Sequence, residues 1–99
     1  MSAPGYTDQL TLNARLEMLW LLRGQPSYSA NCSILRASLE ERGIILSRDQ
    51  VRNQATWLAE QGLATTREVG DYVVVTATER GLDVAAGRVV VHGVPRPLP

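Results

Sequence analysis

The stretch SRDQVRNQATWLAEQGLATT, Ser47–Thr66, decides how this chain is read. Ser47 with Gln50 three residues on is a capping-box pattern, in which the hydroxyl takes one free amide at the helix start and the Gln side chain reaches back for another. Val51, Ala55 and Leu58 then recur at i, i+4 and i+7, which predicts a helix to about Gln61 with Gly62 as its stop. The opposite face presents Asp49, Asn53, Thr56 and Glu60, with Arg52 beside them and Arg48 in the first turn. Such a face either reads base edges in DNA or is simply the solvated side of an amphipathic helix.

Downstream, LATTREV and DYVVVTA are β-branched runs flanking Gly70-Asp71, which predicts a hairpin because glycine tolerates the positive φ of a tight turn. TATERGLDVAAG closes with a short helix, capped either by Thr76 in a box pattern with Glu79 or directly by Thr78. In RVVVHGVPRPLP, Val89–Val91 is a candidate strand, and Pro95, Pro97 and Pro99 favour an extended polyproline conformation.

Upstream, a first helix is expected from Thr7 or Asp8 to Arg23, with Leu12, Leu16 and Leu19 at helical spacing and Met18, Trp20 and Leu21 off that stripe. Being apolar around much of its circumference, it is either central to the fold or shared with a second subunit. Gly24 and Pro26 end it. A second helix is expected from Ala30 or Asn31 to Arg42, with Ile34, Leu35 and Leu39 inward and Arg36, Glu40 and Glu41 outward. Ile44–Leu46 follows as an apolar connector or a strand stub.

The expected order is helix, helix, helix, strand, turn, strand, helix: an α+β, mainly α, winged helix-turn-helix. Residues 1–87 are assigned to that domain and residues 88–99 to an extended C-terminal tail. With 99 residues there is material for one modest core, and 44% hydrophobic with 20% charged residues is ordinary for a soluble globular protein.

Several function classes are disfavoured. The chain has no His–carboxylate pair, nucleophile elbow, phosphate-binding loop or dinucleotide fingerprint, so no enzyme is expected. One cysteine, Cys32, allows no internal disulfide and reads as a small buried side chain, and with His92 as the lone histidine no metal site or cofactor is expected. The N-terminus lacks a basic start and an apolar signal core, and LEMLWLLRG is too short to span a bilayer, so a cytoplasmic protein without membrane attachment is expected.

Ten basic and ten acidic residues cancel, which argues against strong sequence-independent binding to nucleic acid. All ten basic residues are arginine, which suits guanine and phosphate recognition but also follows from a GC-rich coding bias. Between Ser47 and Thr76 the acids Asp49, Glu60, Glu68 and Asp71 outnumber Arg48, Arg52 and Arg67. Trp57 and Trp20 lie off their core stripes, either covering a broad core or anchoring a partner. Tyr72 is expected to pack on a strand face.

The segment from SRDQVR through TERGLDVAAG resembles the recognition helix, wing and final helix of winged-helix bacterial regulators of the MarR, ArsR and PadR type. The matching features are Leu58, Gly62 and Leu63 at the end of the helix, and Thr78 and Gly81 at the start of the next. Over nearly its full length the chain also resembles small winged-helix proteins of Mu-like transposable phages. The resemblance implies a DNA-binding transcription regulator of phage or bacterial origin. The cysteine metal site of the ArsR type is absent, so metal sensing is not implied.

On this reading the candidate DNA contacts are Ser47, Arg48, Gln50, Arg52, Asn53, Thr56 and Arg67. Arg48 and Arg52 suit guanine or phosphate, Asn53 and Gln50 suit adenine, and Thr56 suits a thymine methyl or a phosphate. One small domain reads too few base pairs to select a site, so a homodimer through the first helix and the C-terminal region is expected. The alternative is a protein-interaction module that keeps the shape without reading DNA.

Overall fold

The computed structural model describes residues 6–98, with side chains from residue 8 onward. Residues 1–5 and Pro99 lie outside it, as does the Thr7 side chain considered as a cap. In chain order the elements are α1 (Tyr6–Arg23), a tight turn at Pro26–Tyr28, β1 (Ser29–Asn31), α2 (Cys32–Glu41), α3 (Arg48–Glu60), β2 (Ala64–Val69), β3 (Tyr72–Ala77) and α4 (Glu79–Ala85). The three strands form one antiparallel sheet in the order β1-β3-β2. This is the expected α+β winged helix-turn-helix, with an additional strand.

That strand was missed. Ser27 and Tyr28 both take left-handed φ, 55° and 56°, and this sharp turn brings Ser29–Asn31 beside β3. Two consecutive non-glycine residues there cost about 1–2 kcal/mol each. The return includes the β1–β3 ladder and a cross-strand hydrogen bond of 2.6 Å between the Ser29 and Thr76 hydroxyls. The strands proposed at Ile44–Leu46 and Val89–Val91 do not form. Ile44 and Leu46 are instead buried plugs with Ile45 turned outward, and Val91 is buried from a turn segment. Alternating apolar residues there signal burial without a strand partner.

α1 begins at Tyr6, so neither Thr7 nor Asp8 starts it. Its Ala14, Leu16, Met18, Leu19 and Leu22 are all buried, so the wide apolar surface is explained within one chain by packing on α2, α3, α4 and the sheet. α2 starts at Cys32, one or two residues later than expected: Asn31 is its cap, accepting from the Ile34 amide at 2.8 Å. This phase puts Cys32, Leu35 and Leu39 inward and leaves Ile34 half-exposed, correcting the inner face proposed for it.

α3 forms as its sequence dictates. Ser47 Oγ accepts from the Gln50 amide at 3.1 Å, and Gln50 Oε1 accepts from the Ser47 amide at 2.8 Å. Val51, Ala55 and Leu58 are fully buried. Gly62, at φ 74°, ends the helix. Gly70 supplies the positive φ of the hairpin turn, and the register pairs Val69 with Tyr72 and Thr66 with Val75. Of the two caps left open for α4, Thr78 is the one used: its hydroxyl accepts from the Gly81 amide and donates to the Gly62 carbonyl. Thr76 is occupied with Ser29. Residues 88–98 run back across α1, burying Val91 and Val94.

Candidate nucleic-acid interface

α3 has three working edges besides its buried face. One edge, Arg48 and Arg52, faces the wing formed by β2 and β3. The guanidinium of each donates to the Asp71 carbonyl in the wing turn, at 3.3 Å from Arg48 and 3.0 Å from Arg52. Arg52 is half-buried, and its Nε is fully buried without a partner among the described residues. The Arg52 charge also lies close enough to Cys32 to oppose the burial that pushes the thiol pKa up. Both arginines therefore brace the wing against the helix.

The opposite edge, Gln54 and Trp57, is tied to α1 and the C-terminal segment through Arg15. The Arg15 Nε donates to Gln54 Oε1 at 2.8 Å and one terminal nitrogen donates to the Gly93 carbonyl at 3.0 Å. Its guanidinium carbon stands 3.8 Å from the Trp57 ring centroid, a cation–π contact. Partial burial lowers the pKa of Arg15 below its ordinary value. Gly93 is required for this closeness: at φ 98° a Cβ would come within 2.7 Å of the Trp57 ring. Trp20 donates its indole N–H to the Ala85 carbonyl at 2.8 Å. Both tryptophans thus serve the fold of a single chain.

Between these edges, Asp49, Asn53, Thr56 and Glu60 form an exposed outer stripe. Asn53 and Thr56 make no side-chain hydrogen bond among the described residues. The candidate residues therefore divide. Asn53 and Thr56 are open, Arg48 and Arg52 are engaged with the wing turn, and Ser47 and Gln50 are spent on each other as the cap. Arg67 stands apart. Opposite residues of an antiparallel pair share a face, so the register puts Thr66, Glu68, Val73 and Val75 on one side and Thr65, Arg67, Val69, Tyr72 and Val74 on the other. Val75 is fully buried, and Thr66, Glu68 and Val73 line a cleft with Arg52 and Thr56. Arg67 thus lies on the side of the wing away from α3. Tyr72 shares that outer side and is exposed, correcting the packed role proposed for it.

With this geometry in view, the chain can be compared with known proteins. It is 48% identical over 92 residues to an uncharacterized protein, gp26, of Escherichia phage Mu, covering 93% of this chain and 95% of the phage protein. The chain belongs to the Mu gp26 family. An uncharacterized protein of Haemophilus influenzae is 38% identical to this gp26-family chain over 78 residues, covering 78% of one and 76% of the other. No protein-family model matches it. Among solved structures it is similar to Sco5413, a MarR family transcriptional regulator from Streptomyces coelicolor, with a TM-score of 0.65 and 25% identity. That likeness covers 76% of the gp26-family chain but spans only about half, 49%, of the Streptomyces protein. At the level of fold, then, the gp26-family chain resembles a MarR family transcriptional regulator. No helix among its described residues is long and apolar enough to cross a membrane.

The sequence placed the outward side chains of α3 and left two features unseen. One is the Asp71 carbonyl as the shared acceptor for Arg48 and Arg52, which only the hairpin's placement reveals. The other is the position of Glu68 beside the helix, for which the parity of the hairpin held the signal.

Proposed function

We propose that this protein is a DNA-binding transcription regulator that docks α3 in a major groove. The observation that carries the reading is the exposed stripe at Asn53 and Thr56, flanked by Arg48 and Arg52 and set beside a wing, on a fold shared with a MarR regulator. Asn53 suits bidentate pairing with adenine and Thr56 a thymine methyl or a phosphate. Arg48 and Arg52 suit phosphate or guanine at the groove edge. The capped start formed by Ser47 and Gln50 presents the positive helix end to the backbone.

In this reading residues 1–87 read DNA, and residues 88–99 with α1 join two copies in the bacterial cytoplasm. The pair would place two α3 helices about 34 Å apart, one turn of duplex. Fluorescence anisotropy across a salt series tests the reading, using duplexes from the surrounding phage or prophage genome against random duplex. A regulator shows sequence preference and a steep loss of affinity with salt. Equally weak, salt-insensitive signals on every duplex defeat it.

A second reading, a protein-interaction module on the same fold, is favoured by one observation: the cleft beside α3 carries the acid Glu68, which forms no ion pair among the described residues. There Glu68→Gln loses the protein partner, whereas Asn53→Ala on the outer stripe of α3 keeps it.

A further inference from the structure

The wing carries two adjacent opposite charges, Arg67 and Glu68, and the strand register decides which one meets DNA. Successive residues of a strand point to opposite faces. Glu68 pairs with Val73, and both line the cleft against Arg52 and Thr56. Arg67 pairs with Val74 on the outer face. Arg48 and Arg52 hold the wing turn at the Asp71 carbonyl, so the hairpin does not swivel freely to exchange these faces. Glu68 is exposed and forms no ion pair among the described residues.

The geometry points to Glu68, and not Arg67, as the wing charge that faces DNA, where it lowers sequence-independent affinity by repelling phosphate. This rests on the DNA-binding reading of α3. Sequence-independent binding draws its affinity from phosphate neutralisation, so an acid placed along the backbone path lowers it directly. A cognate site adds base contacts at Asn53 and Thr56 that the acid does not remove. With zero net charge and Glu68 in the cleft, random duplex stays weakly bound while the cognate site is held by its base contacts. The acid is thus a brake on occupancy of the many competing sites in a genome.

The test compares wild type with Glu68→Gln and Arg67→Gln by anisotropy on labelled random duplex, from low to physiological salt. Both positions are exposed strand sites, and circular dichroism checks that both variants fold. Removing one like charge beside the backbone is expected to tighten Glu68→Gln binding about three- to tenfold at low salt. The magnitude of its log K against log salt slope should grow by up to about one. At physiological salt, where screening is effective within about 8 Å, Arg67→Gln is expected to stay within about twofold of wild type, since its charge lies across the strand from the duplex. If wild type binds DNA but Glu68→Gln is unchanged or weaker, the inference is overturned while DNA binding stands. A loss in Arg67→Gln of about tenfold or more at physiological salt overturns it equally. If neither wild type nor Glu68→Gln binds any duplex at low salt, the DNA-binding reading falls and this inference with it.

Discussion

Gly81→Ala should unfold the seat of α4, although helix propensity alone says the opposite. Gly81 sits in the first turn of α4, where alanine in place of glycine ordinarily gains about 0.8–1.0 kcal/mol. Here a Cβ would stand 2.0 Å from the Leu63 carbonyl oxygen, 3.0 Å from its carbon and 3.3 Å from a Leu19 methyl. The first two are backbone, so α4 itself must withdraw by about 1 Å or more, an overpacking cost of ~1–3 kcal/mol. Withdrawal also strains the Thr78 amide bond to the Leu63 carbonyl, 3.1 Å, and the Thr78 hydroxyl bond to the Gly62 carbonyl, 2.7 Å. At ~1 kcal/mol for each, the losses exceed the propensity gain by about 2–4 kcal/mol. For a chain of this size that lowers Tm by roughly 10–30 °C. Thermal and urea denaturation followed by circular dichroism would measure it. Gly24→Ala is the control, since a Cβ there meets nothing closer than 3.6 Å. A Gly81→Ala variant as stable as wild type, with an unchanged urea slope, would show that the packing at Leu63 yields freely, and the reasoning would be wrong.

Arg15→Ala removes one cation–π contact and two hydrogen bonds from a partly buried arginine, and is expected to cost about 2–3 kcal/mol. Urea denaturation checks the cost and tryptophan emission checks the cause, because Trp57 loses its cation; an unaltered spectrum with unaltered stability refutes the contact. Burial holds the Cys32 thiol above its ordinary value of 9.0, so the native thiol stays protonated where the unfolded chain ionises. The native state then binds more protons, and stability declines as pH climbs through that ordinary value and on to the raised one. Cys32→Ala should flatten this decline in urea midpoints between neutral and alkaline pH, and an identical decline in the variant would place its cause elsewhere.

The parts of this fold that were legible in sequence are those whose signals are local. The Ser47–Gln50 box, the Val51–Ala55–Leu58 stripe and the Gly70-Asp71 turn each specify a conformation from residues within a turn or two, and each forms as read. β1 could not be read this way. Ser29–Asn31 is three residues long, has only Ala30 as an apolar residue and is a strand only because β3 lies beside it. Val89–Val91 is the converse: three β-branched residues with the propensity for a strand that lie outside the sheet. Likewise Ile34 satisfied helical spacing yet faces outward, because the Asn31 cap sets the phase of α2 and gives Cys32 the inward place.

The candidate site divides along the same line. Which α3 residues face outward follows from helical period, so Asn53 and Thr56 were available from the sequence. What Arg48 and Arg52 touch depends on where the hairpin docks, and nothing near them in the chain encodes Asp71 as their acceptor. Arg67 is the instructive case. Its charge places it among the candidate contacts while the sequence leaves the hairpin register open; the structure sets Val69 opposite Tyr72 and hence Glu68 opposite Val73. Only one further fact was needed, that Val75 is the buried strand residue, and among Val73, Val74 and Val75 composition does not choose. The core chooses, by placing Val75 at zero exposure against the helices, and a one-residue slip of that choice would exchange Arg67 for Glu68 beside α3. The sign of the charge presented by the wing is therefore set by hydrophobic packing on the far side of the same strand pair.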